Sequence, residues 1–248
     1  MSTHANNRQI VVDIAIAAPI GRVWAALREP ALVETWFGWE APSLRDEIQF
    51  IFFDTAHAVP ERHLIEFGEW EGVRDAIELT EEGRGTRLRV VRSGGAPIDW
   101  GGVYEDISQG WITFFQQLRL ALELHPGTKR RTIYLSGAAR PGVGEPNTAL
   151  GLGTPSDHRP GEAFATALAP GDQISGRVWY TTHFQAALMV EEWGRGLLVV
   201  SDMGKSPKRP HGGGSVLITT YGLGAAAFDA LESRWRSWWG ARFDTSGA

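Results

Sequence analysis

Cysteine is absent from the 248 residues. That single absence removes a disulfide scaffold, a thiolate metal site and a cysteine nucleophile. Long apolar runs are missing too: none reaches the roughly 18 residues that a membrane-spanning helix needs. Residues 1–9, MSTHANNRQ, lack the apolar stretch of a signal peptide. Positive charge is in deficit, with 24 Lys and Arg against 29 Asp and Glu and a net charge of −5. An acidic chain gains little from meeting nucleic acid or an anionic membrane. The two basic clusters, Lys129-Arg130-Arg131 and Lys205–Arg209, are short and carry no interleaved aromatics. The expectation is a soluble, cytoplasmic chain with no nucleic-acid partner and no membrane span.

Catalytic and cofactor signatures are equally scarce. Seven histidines are present, none in a His-x-His or His-Glu-x-x-His pattern, so no metal is expected. His63 and Glu66 are three apart in a stretch that reads as a strand, which would send them to opposite faces. Met203-Gly204-Lys205-Ser206 ends like a phosphate-binding loop, but Val199 stands where the earlier glycine is required, and Pro207 and Pro210 break the helix that should follow. Gly151-Leu152-Gly153 lacks the third glycine of a dinucleotide fingerprint. There is no Gly-x-Ser-x-Gly elbow. No cofactor is expected and no catalytic residue can be named from motifs.

What the chain does have is aromatic bulk: 11 Trp and 11 Phe beside only 4 Tyr. It also has 30 Gly and 13 Pro to punctuate many short elements. Ile10, Val12, Ile14 and Ile16 alternate as on a half-buried strand. Pro19 opens a helix carrying Val23, Trp24 and Leu27, and a second short helix over Ala31–Phe37 closes at Gly38. Strands are expected over Glu47–Phe53, Arg62–Trp70, Asp75–Thr80 and Thr86–Ser93, with Gly83 and Gly85 in the last turn. From Ile107 to Leu124 the period changes: Ile107, Trp111, Phe114, Phe115, Leu118 and Leu122 form the stripe of a long amphipathic helix.

A second half follows. Thr128–Leu135 reads as a strand, residues 136–161 as a Gly- and Pro-rich linker or set of loops, and Glu162–Leu168, Gln173–Tyr180, Phe184–Val190, Leu197–Asp202 and Ser215–Tyr221 as further strands. Ala225–Ala241, striped by Phe228, Leu231, Trp235, Trp238 and Trp239, closes the chain as a helix. Six tryptophans lie in 1–127 and five in 128–248, and each half ends on a Trp-bearing helix. This order is what a diverged duplication would leave. The domains expected are 1–127 and 128–248.

The phrases Arg22–Leu27 (RVWAAL), Trp36–Gly38 (WFG), Gly85–Val91 (GTRLRVV) and Gly110–Leu118 (GWITFFQQL), in that order, resemble the START-like (SRPBCC) superfamily, in the branch similar to the activator of the heat-shock chaperone's ATPase. The likeness covers residues 8–125. Over 128–248 only the later strands and Arg234–Trp239 echo it, and the two-helix phrase is missing, so that half reads as a degenerate repeat. The resemblance implies an α+β helix-grip fold in tandem, each copy a curved antiparallel sheet around a long C-terminal helix. It further implies a cavity for a small apolar molecule.

On that reading Trp36, Phe37 and Trp39 would roof the hollow, and Phe115 and Leu118, on the helix with Trp111, would floor it. Phe52, Asp54, His57 and Trp70 complete the expected ligand-binding set, with Asp54 and His57 as polar groups at the mouth. Trp24, Trp111 and Trp235 are expected to be packing residues, since an aromatic at helical spacing is more often core than ligand wall. Two other functions stay open. One is a cyclase or aromatase using the same cavity, with His57, Asp54 and Tyr104 as its polar groups. The other is a chaperone- or protein-partner-binding module, which would need a large exposed apolar patch.

Overall fold

A computed structural model describes residues 8–69, 72–94, 103–207 and 209–244, with backbone alone for 103–106. The chain divides into two compact units, Met1–Thr128 and Lys129–Ala248.

In the first unit β1 (Gln9–Ile16) leads into α1 (Ile20–Arg28), α2 (Pro30–Val33) and α3 (Leu44–Ile48). Four strands follow, β2 (His57–Val59), β3 (Leu64–Glu66), β4 (Val73–Glu82) and β5 (Gly85–Gly94), before the long helix α4 (Val103–Leu124). The sheet is antiparallel in the order β1-β5-β4-β3-β2, so the first strand pairs with the last and the others form a meander. Alternation does what period two dictates. Val12 and Ile16 of β1, Ile77 and Leu79 of β4 and Leu88 and Val90 of β5 are buried in one core. Phe115, Leu118 and Ala121 of α4 belong to the same core, so this helix covers the buried face of the sheet. The β4–β5 hairpin closes over Gly83 in the left-handed conformation (φ 62°), which a residue with a Cβ adopts only at a cost.

Glu47–Phe53 is not a strand. Leu44–Ile48 is α-helical and continues into a π-helical turn over Gln49–Asp54, where the Thr55 N–H bonds to the Phe50 carbonyl five residues back at 3.0 Å. Ile48, Phe50 and Phe52 mimic a strand by alternating, but Ile48 is 2% exposed, Phe52 0% and Phe50 61%. Burial at i and i+4 with exposure at i+2 is a helical pattern. The expected strand over Arg62–Trp70 is also divided. Pro60–Arg62 forms a tight 3₁₀ turn, His63 takes a left-handed conformation (φ 47°), and only Leu64–Glu66 is extended. Trp70 lies outside the described residues. The helix after Ala31 is a single turn, and α4 begins at Val103, four residues before its apolar stripe.

The second unit runs β6 (Arg130–Ala139), α5 (Pro146–Leu150), a 3₁₀ turn at Pro155–Asp157, β7 (Ala163–Ala167), β8 (Gln173–Thr181), β9 (Gln185–Val190), β10 (Gly196–Met203), β11 (Gly213–Tyr221), α6 (Ala225–Gly240) and β12 (Phe243–Asp244). Its antiparallel order is β12-β6-β11-β10-β9-β8-β7. Apart from the short β12, the plan repeats that of the first unit: first strand against last, a meander between, a helix after the final strand. Short helices do stand between β6 and β7, where the sequence shows only a Gly- and Pro-rich stretch. The one-turn α5, opened by Pro146 and closed by Gly151, is too brief to display an apolar period. Phe228, Leu231, Trp235 and Trp239 of α6 share a core with Leu188, Leu198, Val200, Val216 and Ile218. No described helix of either unit is long and apolar enough to cross a membrane.

Candidate functional site

Five of the expected ligand residues come together, and they do so as rings and methyls in mutual contact. Trp36, Phe37, Phe52, Phe115 and Leu118 are all buried in the first unit's core. Trp36 stacks on Phe115 at 5.6 Å between centroids, and Phe115 stacks on Trp111 at 5.4 Å. Trp111 then meets Phe67 at 5.1 Å. Phe52 stands edge-on to Trp36, Phe37 and Phe67. The Trp36 indole N–H is satisfied by the Ala26 carbonyl at 2.9 Å, which fixes the short-helix segment to α1. Trp39 lies at the edge, half-buried, 6.3 Å from Phe114. The Gly38 carbonyl, just before Trp39 in the chain, accepts a hydrogen bond from the Gln117 amide of α4 at 3.3 Å.

Asp54 and His57 do not join this cluster. Both are exposed; Asp54 accepts a hydrogen bond from the Gln49 amide at 2.7 Å, and His57 pairs with Glu66 on β3. The Tyr104 side chain lies outside the described residues. Trp24 is only partly buried and meets His63 edge-on at 5.5 Å.

A polar network that the motifs did not single out closes the far end of the aromatic stack. Asp75 of β4 and Arg92 of β5 are directly opposed in register. Arg92 Nε and Nη2 each donate to the Asp75 carboxylate at 2.8 Å, and Arg92 Nη1 donates to Ser108 Oγ of α4 at 3.0 Å. The Trp111 indole N–H donates to the same carboxylate at 2.9 Å. The two charged side chains are 11% and 10% exposed, so this is a bidentate ion pair inside the domain. A trace of it is legible in the sequence. Asp75 shares its strand face with Ile77 and Leu79, and Arg92 shares its face with Leu88 and Val90, so two opposite charges fall on apolar faces at period two.

The second unit has its own buried acid. Asp202 near the end of β10 accepts the Asn147 backbone N–H at 3.0 Å, and the Asn147 side-chain amide donates to the Val200 carbonyl at 3.3 Å. The Asn147 carbonyl oxygen is buried without a hydrogen-bond partner. Burial pushes the Asp202 carboxyl up to about 6, against the opposing pull of its Asn147 hydrogen bonds and with a small push from the Glu145 charge. A carboxyl held there can exchange a proton near neutral pH. Among the described residues no group of three or more His, Asp or Glu side chains is placed to hold a metal ion.

No protein-family model matches the chain, and no curated protein does. Solved structures give matches. DynU16, a protein of the dynemicin biosynthetic locus, is similar over 94% of this chain and 94% of its own, with 20% identity and a TM-score of 0.33. BexL, a di-domain ARO/CYC from the BE-7585A biosynthetic pathway, is similar over 94% and 96%, with 12% identity and a TM-score of 0.37. CalU16 from Micromonospora echinospora covers 50% of this chain with 88% of its own, at 18% identity and a TM-score of 0.33. At these identities and TM-scores the likeness decides neither the family nor the activity of the chain.

Proposed function

We propose that the first unit is a helix-grip, START-like domain that binds a small and largely apolar molecule between α4 and the short helices, and that the second unit is its diverged tandem copy. The observation that carries this reading is the aromatic stack Trp36–Phe115–Trp111–Phe67 ending on the buried Asp75–Arg92 pair. Ligand sites combine mostly apolar and aromatic walls with a few placed polar groups, and this end of the domain has that composition. Phe37 and Trp39 flank the stack from the short-helix side, and Phe52 and Leu118 complete its apolar surround. The site is taken to work in a cytoplasmic protein, without metal or cofactor.

The test is titration of the full chain with a panel of fatty acids, sterols and aromatic polyketides, read by tryptophan fluorescence and calorimetry. Saturable binding that weakens in Trp39→Ala supports the reading. A panel with no member binding, together with a crystal structure showing no cavity beside Trp39 and Phe67, overturns it.

A second reading, a cyclase- or aromatase-type enzyme using the same cavity, is favoured by one observation: the Asp75–Arg92 pair and the Trp111 N–H set hydrogen-bonded charged groups at the inner end of the aromatic stack, where such chemistry needs a few placed polar groups. Asp54 and His57 are exposed and stand apart from the aromatic cluster. Turnover of a linear polyketide to a cyclised product by the full chain, lost in Trp39→Ala in step with ligand binding, supports it; binding without any turnover ends it. The partner-binding module has less support. Among the described residues the exposed large hydrophobics are Ile10 and Phe50, one on β1 and one on the π-helical turn, and two single side chains do not make a docking patch.

A further inference from the structure

Asp202 places a carboxyl on the inner face of the second sheet, at period two after the core residues Leu198 and Val200. Its register partner on β11 is Gly214, and Gly214 faces Gly137 on β6. The two glycines leave room for α5 to lie on the strands: a Cβ on Gly214 would stand 2.7 Å from Pro146 Cγ. The helix α5 is little more than one turn, and two of the hydrogen bonds that dock it run through Asn147. The Asn147 backbone N–H donates to Asp202 Oδ1 at 3.0 Å, and its amide donates to the Val200 carbonyl at 3.3 Å. At the other end the Leu150 carbonyl accepts the Ala169 N–H at 3.2 Å. Gly144 and Gly151 flank the turn in the left-handed conformation (φ 81° and 86°), with open space where each Cβ would be. The chain can swing at both points with no side chain in the way.

The charge state of Asp202 sets how well α5 sits. Neutral, the carboxyl brings a hydroxyl donor beside the Asn147 amide, whose buried oxygen has no hydrogen-bond partner. Ionised, it offers acceptors alone, as a charge only 9% exposed beneath the turn. Burial outweighs the Asn147 hydrogen bonds, and the exposed Glu145 carboxylate just before α5 adds repulsion of like sign. On the loop leading into β11, Lys205 and His211 are exposed, and Arg209 Nη1 turns to Met203 Sδ at 3.2 Å. His183, in the turn before β9, is exposed with its ring against Phe184, whose carbonyl accepts the Asp202 N–H. Arg140, just past β6, is exposed and paired with Asp244.

We propose that α5 is a strap controlled by one proton. It lies shut on the sheet while Asp202 is neutral, and it swings open about Gly144 and Gly151 far more often once Asp202 is ionised. The device belongs to the second unit and does not depend on ligand binding in the first.

The experiment is amide hydrogen exchange of the full chain, read by NMR from about pH 3.5 to 7.5, without urea and in low urea, and corrected for intrinsic exchange rates. The carboxyl sits at about 6 with the strap shut and returns to the ordinary 3.8 with it open. The Asn147 N–H should therefore lose about a hundredfold of its protection across that range, most of it between 3.8 and about 6. Its exchange should be faster than that of the Ile218 N–H, in the middle of β11, at every pH. It should also be insensitive to low urea, the mark of a local opening. Asp202→Asn keeps an acceptor for the Asn147 N–H and has no proton to lose, so its protection should stay level with pH. A wild-type profile without the fall overturns the strap, and so does a fall that Asp202→Asn retains. Asn147 exchanging at the rate and urea dependence of Ile218 overturns it too, since the pH response would then be one of global unfolding. Should Asp202→Asn fail to fold, the wild-type profile and its urea dependence decide the matter by themselves.

Discussion

Each unit ties a tryptophan of its final helix to an aspartate that also meets an arginine, yet the two devices are built differently. In the first unit Trp111 Nε1 and Arg92 both donate to Asp75, and both charges are nearly buried. In the second, Trp235 Nε1 donates to Asp172 at 2.9 Å and Arg234 pairs with the same carboxylate, but Asp172 is 9% exposed and Arg234 40%. Arg92 comes from a neighbouring strand and crosses under the helix, whereas Arg234 precedes Trp235 on the helix itself and reaches in from solvent. One arrangement sets a charge pair inside the domain. The other gives a buried carboxylate a screened partner. An internal ion pair is dear to keep and gains little over apolar packing, so its presence at the end of an aromatic stack points to a polar requirement there, of a different kind from the second unit's buried Asp202, whose hydrogen bonds come from Asn147.

The largest effect expected from breaking this contrast is Arg92→Ala, which leaves Asp75 buried with only the Trp111 N–H. A cost of about 3–5 kcal/mol is expected, against about 0–1 kcal/mol for Arg234→Ala. Urea denaturation of the full chain checks both, and equal costs would erase the distinction. Next, Trp111→Phe and Trp235→Phe remove the shared element, a hydrogen bond to a carboxylate. Each should cost about 1.5–3 kcal/mol, with the loss from Trp235 increased by the void its wholly buried ring leaves. Similar losses there, beside dissimilar losses at the arginines, would locate the difference in the cation.

Acid sharpens the comparison further, because aspartates of the two units respond to pH in opposite senses. Asp13 on β1 is held below its ordinary 3.8 chiefly by its hydrogen bond to Arg87, with Arg89 adding to it. Its contribution is present above 3.8 and is lost as pH falls through the depressed value. Asp202 is pushed up to about 6, so between 3.8 and about 6 the unfolded chain has released a proton that the folded chain still holds. Stability from that group is therefore full below 3.8, falls as pH rises to about 6, and is level above. Thermal unfolding of Asp202→Asn from pH 3.5 to 7.5 should lack that downward slope. Asp13→Asn should instead lose stability at neutral pH and match wild type at the acid end.

Periodicity makes β4, β5, α4 and α6 readable because each lays a regular face on one core. Val90 and Leu88, or Phe115 and Leu118, announce their element by spacing alone. The segment Gln49–Asp54 is not readable in that way, because a run of four large apolar residues fits a buried strand and a helix equally and only tertiary packing selects Phe52 as the buried member. The α5 turn carries too few residues to show a period. For the site, the aromatic members are legible and their nature is not: a sequence does not separate a ring that packs on rings from a ring that waits for a ligand. The Asp75–Arg92 pair is legible in principle, as two charges on inward faces, but seeing it requires knowing which residues of β4 and β5 face each other.

The smallest effect is expected where the sequence places the mouth of a pocket. His57 is exposed on the edge strand β2, and Asp54 is exposed at the end of the π-helical turn with the Gln49 amide as its partner. His57→Ala removes no buried contact, and its stability change should stay within about 0.5 kcal/mol. Asp54→Ala should cost somewhat more, up to about 1 kcal/mol, because an exposed hydrogen bond holding the ends of the turn together is lost. Neither should alter binding of an apolar ligand by more than about twofold when Trp39→Ala weakens it, a comparison made in one calorimetric series. A large loss with His57→Ala would bring the edge of the β2–β3 pair into the site and shift the polar requirement away from Asp75 and Arg92. A null effect there, beside a large one for Arg92→Ala, would put it at the interior end of the stack, where β4, β5 and α4 hold the two charges within hydrogen-bond distance.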